Sequence, residues 1–313
     1  MTENELRGFF ESRGVVLFDA AMGTALMAAG LPGTAGTDET NMWRPETVLR
    51  IHRDNVEAGS DVVTSNTFDL SHMLLRGAKL QALGALREGV RIAKKAAAGG
   101  SANGPAGGPA NDSAGGPAGG KKILACLDIG PTGALLGPGG DVSYEAAGDI
   151  FAAQAEAGAR AGADFIMLET FADAEEFSRA ARAARESSGL PVLGTMTFGE
   201  GGRSYMGASP KDLVGAARAE GLFAAGANCS LGPDDMVPVI AEIMEEAKGL
   251  PVIAQPNAGK PAYRDGRTVY EITTAAFAYG VKKLMGLGIS AIGGCCGTTP
   301  DMISTVRGMI DRR

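Results

Sequence analysis

Two neighbouring cysteines near the end of the sequence carry its clearest chemical signal. Cys295 and Cys296 lie within the run AIGGCCGTTP, and the 313-residue chain has only four cysteines. A disulfide between neighbours would strain the peptide that joins them, so each is expected to pair elsewhere, bind a metal or pack. Cys229 ends an earlier apolar run, whereas Cys126 lies inside LACLDIG and is expected to be buried as a small apolar residue.

Three of these cysteines, Cys229, Cys295 and Cys296, could converge on one metal ion. Three thiolates without a fourth protein ligand are typical of a catalytic zinc site, which keeps one coordination position open. Soft sulfur ligands favour zinc over magnesium or calcium. A thiol bound at that position would be deprotonated and electron-rich, which suits attack on an activated methyl group better than hydrolysis. The alternative, that all four cysteines are core residues or scattered thiols, stays open on spacing alone.

Eight short apolar runs, separated by segments with helical spacing, must position these residues. Continuous apolar strands between helices predict a parallel sheet that is covered on both faces. Eight such units favour a closed (β/α)8 barrel, or TIM barrel, in a single domain over 1–313. An open doubly wound sheet is the weaker alternative, because no dinucleotide-type glycine fingerprint follows the first run. The runs span 15–19, 61–68, 122–130, 165–170, 191–198, 224–230, 251–257 and 291–296.

Polar or thiol side chains end every one of the predicted strands. In a (β/α)8 barrel these ends meet at the carboxyl-terminal face, where such enzymes have their active sites. Glu169 is expected to be functional there, because an unpaired buried carboxylate is costly. Asp19 and Asp128 could instead cap helices or turns. The strand-end residues are Asp19, Asn66, Asp128, Glu169, Thr197, Cys229, Asn257, Cys295 and Cys296.

Composition and charge argue against several classes of protein. A net charge of −7 without a basic stripe makes nucleic acid an unsuitable partner. The chain has no apolar run of about 18 residues or more and no signal-peptide core, so neither a membrane span nor export is expected. Four cysteines in so long a chain do not predict a disulfide scaffold, and a reducing cytoplasm is expected. The Gly-, Ala- and Pro-rich segment at 97–121 is expected to form a flexible surface insert in the barrel.

The two histidines lie in predicted helices. His52, within ETVLRIHRDNVEAG, is expected to be a surface or packing residue rather than a ligand. His72 opens the second predicted helix near the strand ends, and a direct role there is the less favoured interpretation.

Several motifs follow one another in the order of a known family. They cover nearly the whole chain apart from the Gly-rich insert. With them the chain resembles the homocysteine S-methyltransferase family, and within it the homocysteine-binding barrel of cobalamin-dependent methionine synthases. The motifs are DAAMGT (19–24), NTF (66–68), DIGPTG (128–133), LETF (168–171), NCSLGP (228–233), QPNAGKP (255–261) and GGCCGTTP (293–300).

The resemblance implies roles for particular residues. Zinc would be held by the three cysteines, with the sulfur of L-homocysteine in the open position. Backbone N–H groups near Ala21 and Met22 would bind the substrate carboxylate. Glu169 and Asp19 would hold the substrate ammonium, and Asn257 would border the zinc site. The residues implied to be catalytic are Cys229, Cys295, Cys296 and Glu169.

The implied reaction transfers a methyl group from an external donor to L-homocysteine and forms methionine. Thr170 stands where betaine-using relatives usually have tyrosine, which favours the methionine-synthase branch. Neither histidine lies in the Asp-x-His-x-x-Gly motif that binds cobalamin, so methylcobalamin is expected on a separate corrinoid protein that docks at the carboxyl-terminal barrel face. The alternatives are S-methylmethionine as donor, another thiol or selenol as acceptor, or a non-catalytic zinc or redox protein in which Cys229 pairs with Cys295 or Cys296.

Two residues depart from the family pattern. Ala20 replaces the glycine that usually follows the first aspartate, which could shift the carboxylate-binding turn. Asp69 follows NTF and adds a negative charge near the rim of the site, where the family usually has a small residue and then asparagine.

Overall fold

The computed structural model describes residues 1–31, 36–99, 121–264 and 266–313. Within these ranges eight parallel strands form a nearly closed barrel, in the hydrogen-bonded order β1-β10-β7-β6-β5-β4-β3-β2. The fold confirms the predicted single-domain TIM barrel. Each observed strand lies inside its predicted run, except that β4 extends one residue beyond it. The predicted insert at 97–121 falls almost wholly outside the described residues. The barrel strands are β1 (Val16–Leu17), β2 (Val62–Thr64), β3 (Leu124–Ile129), β4 (Phe165–Phe171), β5 (Val192–Met196), β6 (Ala224–Asn228), β7 (Val252–Gln255) and β10 (Ala291–Ile292).

An antiparallel hairpin, which the sequence patterns did not predict, follows β7. Its strands are β8 (Pro261–Arg264) and β9 (Arg267–Tyr270). Because the connection after a barrel strand lies at the carboxyl-terminal face, the hairpin adds a wall beside the predicted site.

Helices cover the outside of the barrel, and six of the twelve in the described ranges have an N-cap side chain that accepts a backbone N–H. Thr2 and Ser209 form capping boxes, and Asp173 accepts the N–H of Glu175. No helix in the described part of the chain has both the length and the hydropathy that crossing a bilayer needs. The helices are α1 (Glu3–Arg13), α2 (Met22–Ala28), α3 (Thr40–Trp43), α4 (Pro45–Glu57), α5 (Leu70–Leu75), α6 (Lys79–Ala97), α7 (Tyr144–Arg160), α8 (Ala174–Ser188), α9 (Pro210–Ala219), α10 (Pro233–Ala247), α11 (Thr274–Gly286) and α12 (Pro300–Ile310), with a 3-10 turn at Thr37–Glu39.

Apolar side chains fill the lower part of the barrel. Helix α1 contributes Leu6, Phe9 and Phe10 to the cluster that contains Phe165 from β4. Cys126 belongs to the same cluster and is 1% exposed, which confirms its predicted burial. With the amino-terminal end filled in this way, a ligand can enter the barrel only at the carboxyl-terminal face.

Two aspartates join β1 to β2, the strands at the two ends of the hydrogen-bonded order. The Asp61 N–H donates to the Leu17 carbonyl (2.7 Å), and the Leu17 N–H donates to Asp61 Oδ2 (2.9 Å). Nearer the carboxyl-terminal face, the Thr64 N–H and hydroxyl donate to Asp19 Oδ2 and Oδ1, both at 2.8 Å. Both oxygens of Asp19 therefore already accept a hydrogen bond that holds the barrel closed.

His52 is a packing residue in α4, as expected. It is fully buried, and neither ring nitrogen has a hydrogen-bond partner in the described ranges. Burial lowers the pKa of His52 from 6.5 to about 4. His72, in contrast, is exposed on α5.

We expect His52 to make the protein less stable as the pH falls. The unfolded chain takes up a proton near pH 6.5, whereas the folded chain keeps His52 neutral down to about pH 4. The stability linked to neutral His52 is thus present above pH 6.5 and is lost as the pH falls towards 4. In denaturant unfolding, the free energy of wild type should fall by roughly 3 kcal/mol relative to that of His52→Leu over this range.

His72→Leu is the matched control, because it removes the other histidine from an exposed position. His72→Leu should keep the loss of stability that wild type shows as the pH falls towards 4, because His52 is unchanged. A His52→Leu protein that loses as much stability as wild type over this range would contradict the prediction.

Candidate active site

A cavity of about 300 Å³ opens at the carboxyl-terminal end of the barrel. Its lining comes from the ends of seven barrel strands, all except β5, and from the connections that follow them. Four carboxyl groups line it, and none of the described lining residues is Lys, Arg or His. The cavity contains seven of the predicted strand-end residues: Asp19, Asn66, Asp128, Glu169, Cys229, Cys295 and Cys296.

The three predicted cysteines meet on one side of this cavity. Their Sγ atoms all lie within 4.8 Å of one another, and the Cys229 and Cys296 Sγ atoms are 3.9 Å apart. Thiolates at about 2.3 Å from one tetrahedral zinc ion stand roughly 3.8 Å apart. A disulfide needs about 2.05 Å, and all four cysteines of the chain are unpaired. The spacing of the donor atoms therefore fits a shared metal ion and not a disulfide.

The backbone around Cys229 is held in an uncommon conformation. Cys229 and Ser230 have φ values of 60° and 54°, in the left-handed region that glycine favours. Such residues cost on the order of 1–3 kcal/mol each and cluster at functional sites. The Cys229 N–H donates to the Gln255 carbonyl (3.1 Å), which ties the strained turn to the end of β7. This turn is what directs the Cys229 thiol towards the other two.

The connection after β7 also holds the cysteine pair. The Cys295 N–H donates to the Pro256 carbonyl, and the Ala258 N–H donates to the Cys296 carbonyl, both at 2.9 Å. Asn257, between these two anchors, is 2% exposed, and its Oδ1 has no partner in the described ranges. Asn257 does not itself line the cavity. The predicted role of Asn257 beside a metal stays a prediction. Its neighbours in sequence, Pro256 and Ala258, are the residues that hold Cys295 and Cys296.

Two glycines of the Cys295–Cys296 loop are required by packing. A Cβ atom on Gly294 would lie 2.3 Å from Thr298 Oγ1. Gly297 has a φ of 79°, and a Cβ atom there would lie 2.2 Å from Tyr270 Cγ. Tyr270 comes from β9 and was not among the predicted site residues. Hydrogen bonds with Cys229, Cys295 and Tyr270 lower the pKa of Cys296. The small residues thus let Tyr270 and Thr298 approach the cysteine loop.

Asn228 connects the thiol side of the cavity to the carboxyl side. It is fully buried, and its Oδ1 accepts hydrogen bonds from the Thr170 N–H and the Thr195 hydroxyl, both at 2.8 Å. Its Nδ2 donates to Thr170 Oγ1 (2.7 Å) and to Cys295 Sγ (3.9 Å). Thr170 has a φ of 64°, so the turn that presents Glu169 needs this support. Asn228 opens the motif NCSLGP (228–233), but nothing in the sequence assigns it a role of its own.

The surroundings of three carboxyl groups in the cavity raise their pKa values and so favour the protonated form. Burial, with the nearby charges of Asp19 and Cys296, raises the pKa of Glu169 to about 8. Burial raises the pKa of Asp19 to about 7, against the hydrogen bonds from Thr64. Burial also raises the pKa of Asp128 well above its usual range, and the charge of Glu169 adds to this effect. A cationic ligand would reverse these shifts, because it favours the ionised carboxylates.

The predicted carboxylate-binding turn lies at the start of α2. This helix has no side-chain cap, and Ala21 is its N-cap residue. The Ala21 N–H donates to Thr298 Oγ1 (3.1 Å), so the first N–H groups left for a ligand are those of Met22 and Gly23. The Ala20 N–H donates to Asn55 Oδ1 (2.9 Å), and Ala20 is not in the left-handed region. Alanine therefore fits without strain where the family usually has glycine.

Other predicted strand-end residues support the site without forming its centre. Asn66 lines the cavity, but its Nδ2 donates to the Thr37 carbonyl (2.8 Å) and so holds the connection after β1. Thr197 shares a hydrogen bond of 2.6 Å with Ser230 and does not line the cavity. Asp69, a departure from the family pattern rather than a predicted strand-end residue, also lines the cavity, and its N–H donates to Asp38 Oδ2 (2.6 Å).

The fold and the site define a (β/α)8-barrel protein whose mouth combines three thiols with a carboxyl-lined pocket. The family model for homocysteine S-methyltransferase matches residues 16–310, and the chain belongs to this family. Methionine synthases from Mycobacterium tuberculosis (strain ATCC 25618 / H37Rv) and Mycobacterium leprae (strain TN) are 30% and 29% identical over 309 and 310 residues. These matches cover 94% and 95% of the chain, which spans about a quarter (24%) of the length of each relative.

A solved structure shares the fold over nearly the full length. The homocysteine methyltransferase MmuM from Escherichia coli, in its metallated and oxidized forms, matches with a TM-score of 0.75 and 21% identity. The match covers 97% of this chain and 99% of that one. At this level of identity the likeness shows a common barrel architecture.

Proposed function

We propose that this protein transfers a methyl group to the thiol of L-homocysteine, with zinc held by Cys229, Cys295 and Cys296. The convergence of three thiols at the mouth of the barrel carries the proposal. The donor set fits zinc because it is all sulfur, has the right spacing and leaves one position to the substrate. Membership of the homocysteine S-methyltransferase family supports the choice of acceptor.

The residues of the cavity would bind the two ends of the amino acid. The ammonium would lie against Glu169, with Asp19 beside it. The carboxylate would accept hydrogen bonds from the N–H groups of Met22 and Gly23 at the start of α2. Zinc, when bound, lowers the pKa of a thiol that takes the remaining position. As the new S–C bond forms, the bond between the methyl carbon and the donor breaks, and its electron pair stays with the donor. Asn257 would border the position of the sulfur.

For the donor we propose methylcobalamin on a separate corrinoid protein that docks at the carboxyl-terminal face. The methionine synthases that match this chain over about a quarter of their own length support a donor of this kind. Large apolar side chains exposed on the connections after β1, β3, β5 and β7 would suit such a contact. They are Trp43, Leu135, Tyr205 and Tyr263.

The four unpaired cysteines suit a reducing cytoplasm.

S-methylmethionine is the second candidate donor. Its sulfonium group is a cation, and the cavity has four carboxyl groups without a basic side chain in its described lining. A cationic donor could therefore be attracted to the same mouth.

Calorimetric titration of L-homocysteine into the zinc-loaded protein, in two buffers of different ionisation enthalpy, tests the acceptor. We expect binding with release of a proton from the thiol, and loss of binding when zinc is removed or L-cysteine is used instead. Absence of binding to the zinc-loaded protein would contradict the proposal. Methionine formation with free methylcobalamin or with S-methylmethionine then separates the two donors.

A further inference from the structure

Asp128 is a buried carboxyl group without a structural task. It lies near the end of β3, is 4% exposed and lines the cavity. Its main chain is held by Ser65 Oγ, which accepts its N–H (3.2 Å), and by the Thr67 hydroxyl, which donates to its carbonyl (2.7 Å). Its Oδ1 has no hydrogen-bond partner in the described part of the chain. The side chain therefore does not act as the helix or turn cap that the sequence left open.

Other buried acids around the cavity are used by the protein itself. Both oxygens of Asp19 accept hydrogen bonds from Thr64, and Asp38 Oδ2 accepts the Asp69 N–H. A buried polar atom without a partner is costly, and because Asp128 lines the cavity its open oxygen is available to a ligand. Asp128 is therefore a better candidate for binding a ligand than Asp19, which the family resemblance suggested.

We infer that Asp128, together with Glu169, binds the ammonium group of the substrate and selects thiols that carry an α-amino group. The inference rests on the proposed function, because it assumes that the substrate is an amino acid with a thiol. Asp128 on β3 and Glu169 on the neighbouring strand β4 both line the cavity, and each carboxyl group affects the pKa of the other. An ammonium group has three N–H donors, and the open oxygen of Asp128 supplies an acceptor for one of them.

The chemistry of the cavity favours an ammonium over a metal ion at this position. Within the described residues, only the three cysteines bring three candidate ligand atoms within 4.8 Å of one another. No basic side chain of the described lining balances the carboxyl groups. Burial raises the pKa values of Asp128 and Glu169, so the pair holds protons until a cation arrives. The substrate would supply the missing positive charge.

Binding of two ligands to zinc-loaded wild type and Asp128→Asn tests the inference. The ligands are L-homocysteine and 4-mercaptobutanoate, which has the same thiol and carboxylate but no amino group. We expect Asp128→Asn to weaken the binding of L-homocysteine on the order of 10- to 100-fold, as for a lost hydrogen bond to a charged group. The binding of 4-mercaptobutanoate should change less than about threefold, since this ligand does not use the carboxyl pair.

Asp173→Asn is the matched control. Asp173 is the N-cap of α8 just after β4 and does not line the cavity, and asparagine is also a good N-cap. It should leave the binding of both ligands unchanged. Asp128→Ser provides a second neutral side chain if Asp128→Asn folds poorly, and it should show the same loss of selectivity.

The outcomes separate the inference from the proposed function. If wild type does not bind L-homocysteine, the proposed function fails. If wild type binds it but the Asp128 variants bind both ligands as wild type does, or lose both equally, the inference is overturned and the proposed function stands.

Discussion

Replacement of Cys295 by serine is expected to abolish tight zinc binding and, with it, methyl transfer to L-homocysteine. Serine keeps its proton at neutral pH and offers a hard oxygen in place of a soft thiolate, so two good ligands remain where the geometry provides three. The loss of zinc affinity should exceed the roughly 100-fold that removal of an outer-shell partner costs. Competition with a chromophoric chelator measures the affinity, and methionine formation measures the activity.

Cys126→Ser is the matched control for this experiment. It makes the same chemical change at a buried position among the apolar side chains of the lower barrel, away from the three thiols. We expect it to reduce the free energy of unfolding and to leave one zinc per chain. A Cys295→Ser protein that keeps its zinc and its activity would rule out the proposed site.

Replacement of Asn228 by leucine has the second largest expected effect, because one side chain supports both halves of the site. The Thr170 N–H would lose its acceptor in a strained turn, and Cys295 would lose a donor. Each buried group left unpaired costs roughly 1–3 kcal/mol in the free energy of unfolding. Zinc affinity should also fall about 10- to 100-fold, as for other outer-shell partners.

Two further variants separate the stability effect from the metal effect. Asn228→Asp keeps the oxygen that accepts from Thr170 and Thr195 but removes the donor to Cys295, so stability should be retained better than zinc affinity. Asn41→Leu removes a fully buried amide that donates to the Asn66 and Ala85 carbonyls, and it should lower stability only. Equal zinc affinity in Asn228→Leu and Asn41→Leu would show that Asn228 does not support the metal site.

Much of the architecture could be predicted because it depends on local patterns. Apolar runs between helical segments indicate a parallel barrel, and parallel strands bring their carboxyl ends to one face. For this reason Glu169 and the three cysteines could be placed at one site although they are far apart in sequence. The predicted strands were longer than the observed ones in most cases. At several strand ends the chain turns to present a side chain, as the left-handed φ values of Thr170 and Cys229 show.

The sequence by itself determined the barrel, the thiol set and the face on which they meet. Only the tertiary structure decided how each polar side chain is used. Asp19 and Asp128 both lie near the carboxyl ends of strands. Asp19 closes the β1–β2 junction through Thr64, whereas Asp128 keeps an open oxygen in the cavity. Asn228 likewise acquires its role from contacts with other strands. The physical reason is that hydrogen-bond partners in a barrel come from neighbouring strands, and residue type and spacing do not specify which partner a side chain will find.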